Sequence, residues 1–230
     1  MSDILREEKK YELSIVELFY IKGMLENVLK GDSYNGSKPY LVRSLYFDSI
    51  SNIDYFEKEA GVNDRKKIRL RIYTPHADNA KLELKEKSGV MQRKQSLIVS
   101  KEDALALIDG RYEVLKAYES ELAQYIYRKM AMELYIPRTV VEYERIALGT
   151  SENSTRITFD MDVRANEGDF NIFSDKLETY PIIQPDRGIL EVKYNRFLLG
   201  YVKDMLQSVE KLETSCSKYF MARKYGLGGD

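Results

Sequence analysis

Apolar and ionised residues alternate with a period of two through two neighbouring stretches of the chain. Arg65, Lys67, Arg69, Arg71 and Tyr73 take every second position, with Ile68, Leu70 and Ile72 between them. Lys81, Glu83, Lys85 and Lys87 then alternate with Leu82 and Leu84. Side chains leave a strand on alternate faces, so this period predicts two strands, each with one aliphatic and one ionised face. Between them Thr74 to Ala80 supplies turn residues, which predicts a hairpin.

The same polar stripe recurs along the chain. Arg6, Glu8 and Lys10 alternate in an opening strand, and Ser44, Tyr46 and Asp48 alternate with Leu45 and Phe47 in a strand over 40–48. Met91 to Val99 predicts a strand with Arg93 and Lys94 at its start, and Val141 to Ala147 one with Tyr143 and Arg145 on a single face. Arg156, Thr158, Asp160, Asp162 and Arg164 alternate with Ile157, Phe159, Met161 and Val163; Glu191 and Lys193 alternate with Leu190 and Val192 in a last strand over 188–194.

Helical periods separate these strands. Ser14 followed by Glu17 makes a capping box, predicting a helix that runs to Leu29 and buries Ile15, Leu18, Phe19, Met24, Leu25 and Val28. Shorter helices are predicted over 52–60 and from a Ser100 cap to Gly110. A longer one is predicted over 118–135, and others over 197–209 and from Ser217 to Gly226. Residues 165–186 are polar and irregular, and Pro181 and Pro185 argue against a central strand there. No linker interrupts the pattern, so one domain over 1–230 is expected.

Composition removes several chemistries. The net charge is −1, so a basic site must be a local concentration rather than a property of the whole chain. Cys216 is the only cysteine and His76 the only histidine, which excludes a disulfide framework, a multi-cysteine zinc site and a histidine metal cluster. A Ser-His-Asp triad is disfavoured by the same count. No apolar run reaches membrane-span length and the first ten residues do not read as a signal peptide, so a cytoplasmic location is expected, with a membrane partner left open.

Cations about 7 Å apart along one strand repel by roughly 2 kcal/mol per pair at an effective dielectric of 20. A sheet that gathers so many of them calls for an anion. The helices offer amphipathic cover for the aliphatic strand faces, and the charged faces are then left to look at one another. The expected fold is α+β: a closed antiparallel β-barrel with a charged lumen, covered outside by helices. A lumen of Lys and Arg with a few Glu suits a chain of phosphates and a divalent metal. A duplex cannot reach such a stripe, so nucleic acid is not an expected partner.

The order and spacing of these motifs resemble the VTC-type polyphosphate polymerase domain of the triphosphate tunnel metalloenzymes. The resemblance spans nearly the whole chain. It rests on R-E-E-K-K-Y at 6–11, S-L-Y-F-D at 44–48, K-I-R-L-R-I-Y at 67–73, L-E-L-K-E-K at 82–87, Y-E-R at 143–145, R-I-T-F-D at 156–160, L-E-V-K-Y at 190–194 and S-K-Y at 217–219. Arg6 stands where the wider superfamily's E-x-E-x-K signature has its first Glu, a departure that looks like the VTC branch.

The resemblance implies that Lys10, Arg69, Arg71, Lys85, Arg145, Arg156 and Lys218 hold phosphates. Arg93 or Lys94 would join them, Lys193 would share the lumen, and Tyr143 and Ser217 would add hydrogen bonds. Glu191 is similar to the family's metal-binding glutamate; Glu8 and Glu83 face the same way and serve either as ligands or as charge neutralisers. The implied activity is elongation of inorganic polyphosphate from ATP with Mn²⁺ or Mg²⁺. A triphosphatase on the same residues and a non-catalytic polyphosphate-binding module are the alternatives. Loss of Arg69 or Arg71 is expected to weaken anion binding while leaving the free protein's stability level or higher.

Overall fold

The computed structural model of the chain describes residues 6–34, 36, 38–89 and 91–227. Among these residues ten strands and six α-helices follow in the order β1 (Arg6–Ser14), α1 (Ile15–Leu25), β2 (Lys30–Gly31), β3 (Tyr40–Ser49), α2 (Ile53–Glu59), β4 (Arg65–Ile72), β5 (Asn79–Ser88), β6 (Met91–Ser100), α3 (Lys101–Ile108), α4 (Glu121–Met132), β7 (Tyr135–Gly149), β8 (Arg156–Asn166), β9 (Tyr180–Pro181), β10 (Arg187–Asn195), α5 (Gly200–Gln207) and α6 (Lys218–Gly226). Two compact units share them. The first comprises Met1–Leu41, Tyr143–Val163 and Pro181–Ser217; the second comprises Val42–Glu142, Arg164–Tyr180 and Lys218–Asp230.

In the first unit β1 pairs antiparallel with β10, and β10 with β8, which neighbours β7. Leu18, Ile21 and Leu25 of α1 and Val202 and Leu206 of α5 pack with Ile157, Phe159, Leu190 and Val192, the aliphatic faces of β8 and β10. Each of these side chains, fully buried, stabilises the fold by roughly 1.5–3 kcal/mol. In the second unit the strand order is β7-β3-β4-β5-β6. Leu45, Phe47, Ile68, Leu70, Leu82 and Leu84 meet Leu107 of α3 and Ile126 and Met130 of α4. The aliphatic positions of the alternation therefore lie under helices in both units, as their period required.

The fold is α+β with an antiparallel sheet, but the closed barrel is not found. Among the described residues the strand path runs from β1 to β6 and stops at both ends. The edge that β1 would offer to a closing strand is taken by a returning segment: Tyr11 is bridged to Glu213, and the amide of Thr214 donates to the carbonyl of Lys10 at 2.8 Å. At the other end β6 is mostly exposed and carries Gln92, Arg93 and Lys94, polar residues that protect a free edge from pairing.

Three helices differ from expectation. The Ser14–Glu17 capping box forms, but α1 ends at Leu25. Its buried stripe is Leu18, Ile21 and Leu25, while Phe19 and Val28 are exposed. The run I-V-E-L-F-Y-I is apolar on nearly every side, so its period could not select the inner face. α4 covers only Glu121–Met132, because Ser120 caps its start and Leu134 adopts a left-handed backbone at φ 50°. α5 begins at Gly200 rather than Phe197, after a turn in which the Phe197 amide donates to the Asn195 carbonyl. Among the described residues no helix is long and apolar enough to cross a membrane.

Candidate functional site

Register converts the alternation of the second unit into rows of neighbouring side chains. Lys67 of β4 stands opposite Lys85 of β5, and Lys85 opposite Lys94 of β6. The next row is Tyr46, Arg69, Glu83 and Ser96, and the one beyond it Ser44, Arg71, Lys81 and Ile98. On this face β4, β5 and β6 present Arg65, Lys67, Arg69, Arg71, Lys81, Lys85, Lys87 and Lys94 against the single carboxylate of Glu83. Directly opposed residues have Cβ atoms about 5 Å apart, and like charges placed so destabilise the sheet.

Glu83 is 1 % exposed and draws three of these cations. Arg69 Nε donates to its Oε2 at 2.7 Å, Arg71 Nη1 lies 3.8 Å from the same oxygen, and Lys94 Nζ lies 2.5 Å from Oε1. Burial alone would raise the Glu83 pKa, but the three cations reverse this and hold it at about 2. Lys94 is itself drawn down, first by burial and then by the two arginines, so Glu83 is the firmly ionised member of their pair.

Tyrosines frame the same face. Arg69 donates to the Tyr46 hydroxyl at 2.8 Å, and Arg71 to Ser44 Oγ at 3.0 Å. Burial works against ionisation of Tyr46, yet Arg69, Arg71 and Lys218 bring its pKa below the usual phenol value. Tyr219 of α6 stacks on Tyr46 with ring centroids 5.2 Å apart, and its hydroxyl donates to the buried Asp48. That contact sets the start of α6, and with it Lys218, close enough to act on Tyr46.

The first unit gathers its own ionic row. β1 and β10 place Lys10 opposite Glu191 and Glu8 opposite Lys193, and β8 brings Thr158 opposite Glu191 and Arg156 opposite Lys193. Lys193 Nζ lies 2.6 Å from Glu191 Oε1 and 3.6 Å from Glu8 Oε2, so two carboxylates converge on one ammonium. Lys10 is 2.8 Å from Glu8. Arg145 makes a bidentate pair with the fully buried Asp160 at 2.6 and 2.7 Å, and reaches Glu191 at 3.8 Å. Burial disfavours the Arg145 charge, but Asp160 overrides it and raises the pKa. Its guanidinium also sits over the Tyr143 ring at 5.1 Å. Arg156 donates to Asp32 at 2.8 Å and to the Tyr40 hydroxyl at 3.4 Å.

Of the residues expected at the site, the second unit thus assembles Arg69, Arg71, Lys85, Lys94, Glu83 and Lys218. The first assembles Lys10, Arg145, Tyr143, Lys193, Glu8 and Glu191, with Arg156 at the end of the row. Arg93 is not among them: it stands opposite Glu86, on the other face of β5 and β6 from Lys94 and Lys85. Ser217 immediately precedes α6.

Residues not singled out beforehand as site candidates are Lys67, Ser44, Tyr46, Thr158, Asp160 and Tyr219. All but Tyr219 share the charged period of their strands. Thr158 is buried, and its Oγ1 has no hydrogen-bond partner. An orphan hydroxyl beside Glu191, with two carboxylates converging on a cation, is a donor set that suits a hard divalent ion shared with phosphate oxygens. Among the described residues no three His, Cys, Asp or Glu side chains cluster to hold a metal unaided.

Comparison with known proteins gives a consistent picture. A family model described as the VTC domain matches residues 5–225. No curated protein matches. Among solved structures, a protein from Bacillus halodurans provisionally named as an adenylate cyclase superposes with a TM-score of 0.52 at 12 % identity, covering 93 % of this chain and 96 % of its own. A second provisionally named adenylate cyclase, from Vibrio parahaemolyticus, gives 0.50 at 12 % identity, covering 95 % and 97 %. At such identities the likeness is one of fold.

Proposed function

The chain belongs to the VTC domain family, with the fold of the triphosphate tunnel proteins, and from that premise we propose that it is a metal-dependent polyphosphate polymerase. In this reading the whole chain acts as one domain in the cytoplasm. It takes ATP and inorganic polyphosphate as substrates and has no nucleic-acid partner. A terminal phosphate oxygen of the growing chain attacks the γ-phosphorus of ATP, the bond to the β–γ bridging oxygen breaks, and ADP leaves. Phosphoryl transfer of this kind needs positioning and charge neutralisation rather than a histidine base or a covalent intermediate.

One observation supports the reading above the rest. On the polar face of β4, β5 and β6 eight cations accompany one carboxylate, and Lys67, Lys85 and Lys94 form a lateral row. At about 5 Å and an effective dielectric of 20, neighbouring unit charges repel by about 3 kcal/mol before solvent screening. A polyphosphate, with close to one negative charge per phosphate, matches such a row. Arg69, Arg71, Lys85, Lys94 and Lys218 would hold phosphates in the second unit; Lys10, Arg145, Arg156 and Lys193 would do so in the first, with hydrogen bonds from Tyr143 and Ser217. Glu83 would orient Arg69, Arg71 and Lys94.

Glu8, Glu191 and Thr158 would hold Mn²⁺ or Mg²⁺ together with the nucleotide phosphates. When bound, the ion supplies charge neutralisation at the phosphoryl oxygens. Lys193, now held by both carboxylates, would then be free to turn its ammonium to a phosphate.

The test is incubation with ATP and Mn²⁺, followed by gel analysis for polymer and assays for ADP and free phosphate. Polymer formed in step with ADP is the expected result. ADP matched by free phosphate without polymer would overturn the polymerase reading in favour of a triphosphatase. Polyphosphate binding without turnover would reduce the protein to a binding module.

A further inference from the structure

The strands that carry the first unit's ionic row have a second polar site on their other face. Glu7, Lys9 and Tyr11 of β1 and Val192 and Tyr194 of β10 alternate with Glu8, Lys10, Glu191 and Lys193, and so leave the sheet on the opposite side. With the turn after β10, helix α5 and Lys211 they line a cavity of about 600 Å³. That volume lies within the range of small-molecule sites. None of it belongs to the ionic row described above.

Its charge is unbalanced. Lys9, Arg196, Lys203 and Lys211 line it with one carboxylate, Glu7, which already accepts the Tyr194 hydroxyl at 2.6 Å. A second carboxylate, Glu213, lies near enough to act on Tyr11 and Tyr194, so four cations stand against two acids. Among the described residues Lys9, Arg196 and Lys203 have no ion-pair partner. Lys211 is tied to the Leu206 and Val209 carbonyls and lies 5.4 Å over the Tyr11 ring, so its ammonium is already desolvated. A cavity with this excess of cations calls for an anion.

Phe197 adds a second requirement. Its side chain is 62 % exposed at this cavity, yet its backbone is pinned. The amide donates to the Asn195 carbonyl at 2.7 Å, and the carbonyl accepts from Asn153 Nδ2 at 3.0 Å. Arg196 beside it is held in the left-handed region at φ 64°, which disfavours a side chain of this size. The turn therefore presents a guanidinium and a bare aromatic ring side by side. A bare phosphate has no use for the ring, and an apolar molecule has none for the cations. We propose that this cavity binds a small phosphate ester carrying a flat ring, a nucleotide in chemical class, at a site separate from the charged strand faces.

The proposal does not depend on the polymerase reading, and its test separates the two. ADP and inorganic tripolyphosphate are each titrated, in EDTA, against the full chain and against R196E/K203E, F197A and K85A variants. Arg196, Lys203 and Phe197 are exposed, so these changes leave folding intact. The expected result is a loss of ADP affinity of about tenfold or more in R196E/K203E and severalfold in F197A, with tripolyphosphate binding unchanged in both. K85A should show the reverse pattern. Crosslinking by 8-azido-ADP, mapped by mass spectrometry, should label residues 194–211 and not Lys193. ADP binding untouched by both variants, or labelling confined to the charged faces, would overturn the proposal. So would equal losses for ADP and tripolyphosphate in R196E/K203E, which would report general charge alone.

Discussion

Arg69 Nε donates to Glu83 Oε2 at 2.7 Å across neighbouring strands, and this bond reverses an inference drawn from alternation alone. Seen only as one of several repelling cations, Arg69 should be dispensable to the free protein. Seen as the nearest guanidinium to a buried carboxylate, it is not. Removing one partner of a buried ion pair leaves the other uncompensated, at a cost on the order of 3 kcal/mol. Arg69→Ala should therefore lower the denaturation midpoint of the unliganded protein as well as weaken polyphosphate binding. An unchanged midpoint would mean that Arg71 and Lys94 suffice to neutralise Glu83.

Glu83 also sets an acid limit. Its folded pKa of about 2 is below the ordinary carboxylate value of 4.5, so the stability it contributes is complete above the unfolded pKa and is lost as pH falls from about 4.5 towards 2. Glu83→Gln should flatten the stability curve in that window. Chemical denaturation at stepped pH values reads it directly, and a variant with an unaltered acid limb would assign the loss to other carboxylates.

Asp54 acts in the opposite sense and in a higher window. It is 1 % exposed, accepts the Tyr135 hydroxyl on both oxygens at 2.8 and 2.9 Å, and lies near Lys66 at 3.4 Å. Burial first, and then Asp48, raise its pKa to about 7 despite Lys66. The folded state therefore holds a proton that the unfolded state releases near pH 4, and stability should decline as pH rises from about 4 to 7. Asp54→Asn should remove that decline. A wild-type stability that is flat or rising across pH 4 to 7 would show that Lys66 keeps the carboxylate ionised.

Lys85 allows binding to be separated from stability. It stands between Lys67 and Lys94 in its row, and like charges directly opposed are destabilising. Lys85→Ala should weaken polyphosphate binding about tenfold at low salt, less at high salt, while the unliganded midpoint stays level or rises. A marked loss of midpoint would make Lys85 a structural partner instead.

Much of this arrangement is legible in the amino-acid sequence. The charged and aliphatic periods assigned faces to β1, β3, β4, β5, β8 and β10, and the capping box located α1. What the period could not settle was anything that depends on register. Arg93 and Lys94 are adjacent cations, and only the pairing of Lys85 with Lys94, and of Glu86 with Arg93, decides which of them shares the charged face with Lys85. Strand closure was equally out of reach, because whether β1 accepts a partner is decided by Glu213 and Thr214, some two hundred residues away. Tyr46 and Asp48 were visible on the polar face of β3, but their link through Tyr219 to α6 is a tertiary fact with no local signature.

Thr158 tests whether its orphan hydroxyl has a purpose. A buried hydroxyl without a partner destabilises by about 1–3 kcal/mol, so the isosteric Thr158→Val should leave stability level or raise it. If the oxygen serves an ion held with Glu191, the same change should lower metal-dependent turnover and raise the Mn²⁺ concentration needed for half-maximal rate. Unchanged metal dependence would leave Thr158 as a packing residue only.

Glu191 divides the catalytic readings from the binding one. It is 6 % exposed, with Lys193 at 2.6 Å and Arg145 at 3.8 Å, and it shares Lys193 with Glu8. Its neighbours Leu190 and Val192 are buried among helices on the other face, so substitution at 191 leaves the core intact. Glu191→Gln keeps the shape and removes one negative charge. Lys193 and Arg145 then lose a competitor for phosphate, so metal-free polyphosphate binding should be unchanged or tighter. Metal-dependent turnover of ATP should nonetheless fall by at least about a hundredfold, the loss of roughly 2.7 kcal/mol of transition-state stabilisation. Binding and turnover moving in opposite directions is the signature of a ligand to the catalytic ion. Turnover that survives the change would remove Glu191 from the mechanism, and weaker metal-free binding would recast it as the residue that orders Lys193 and Arg145.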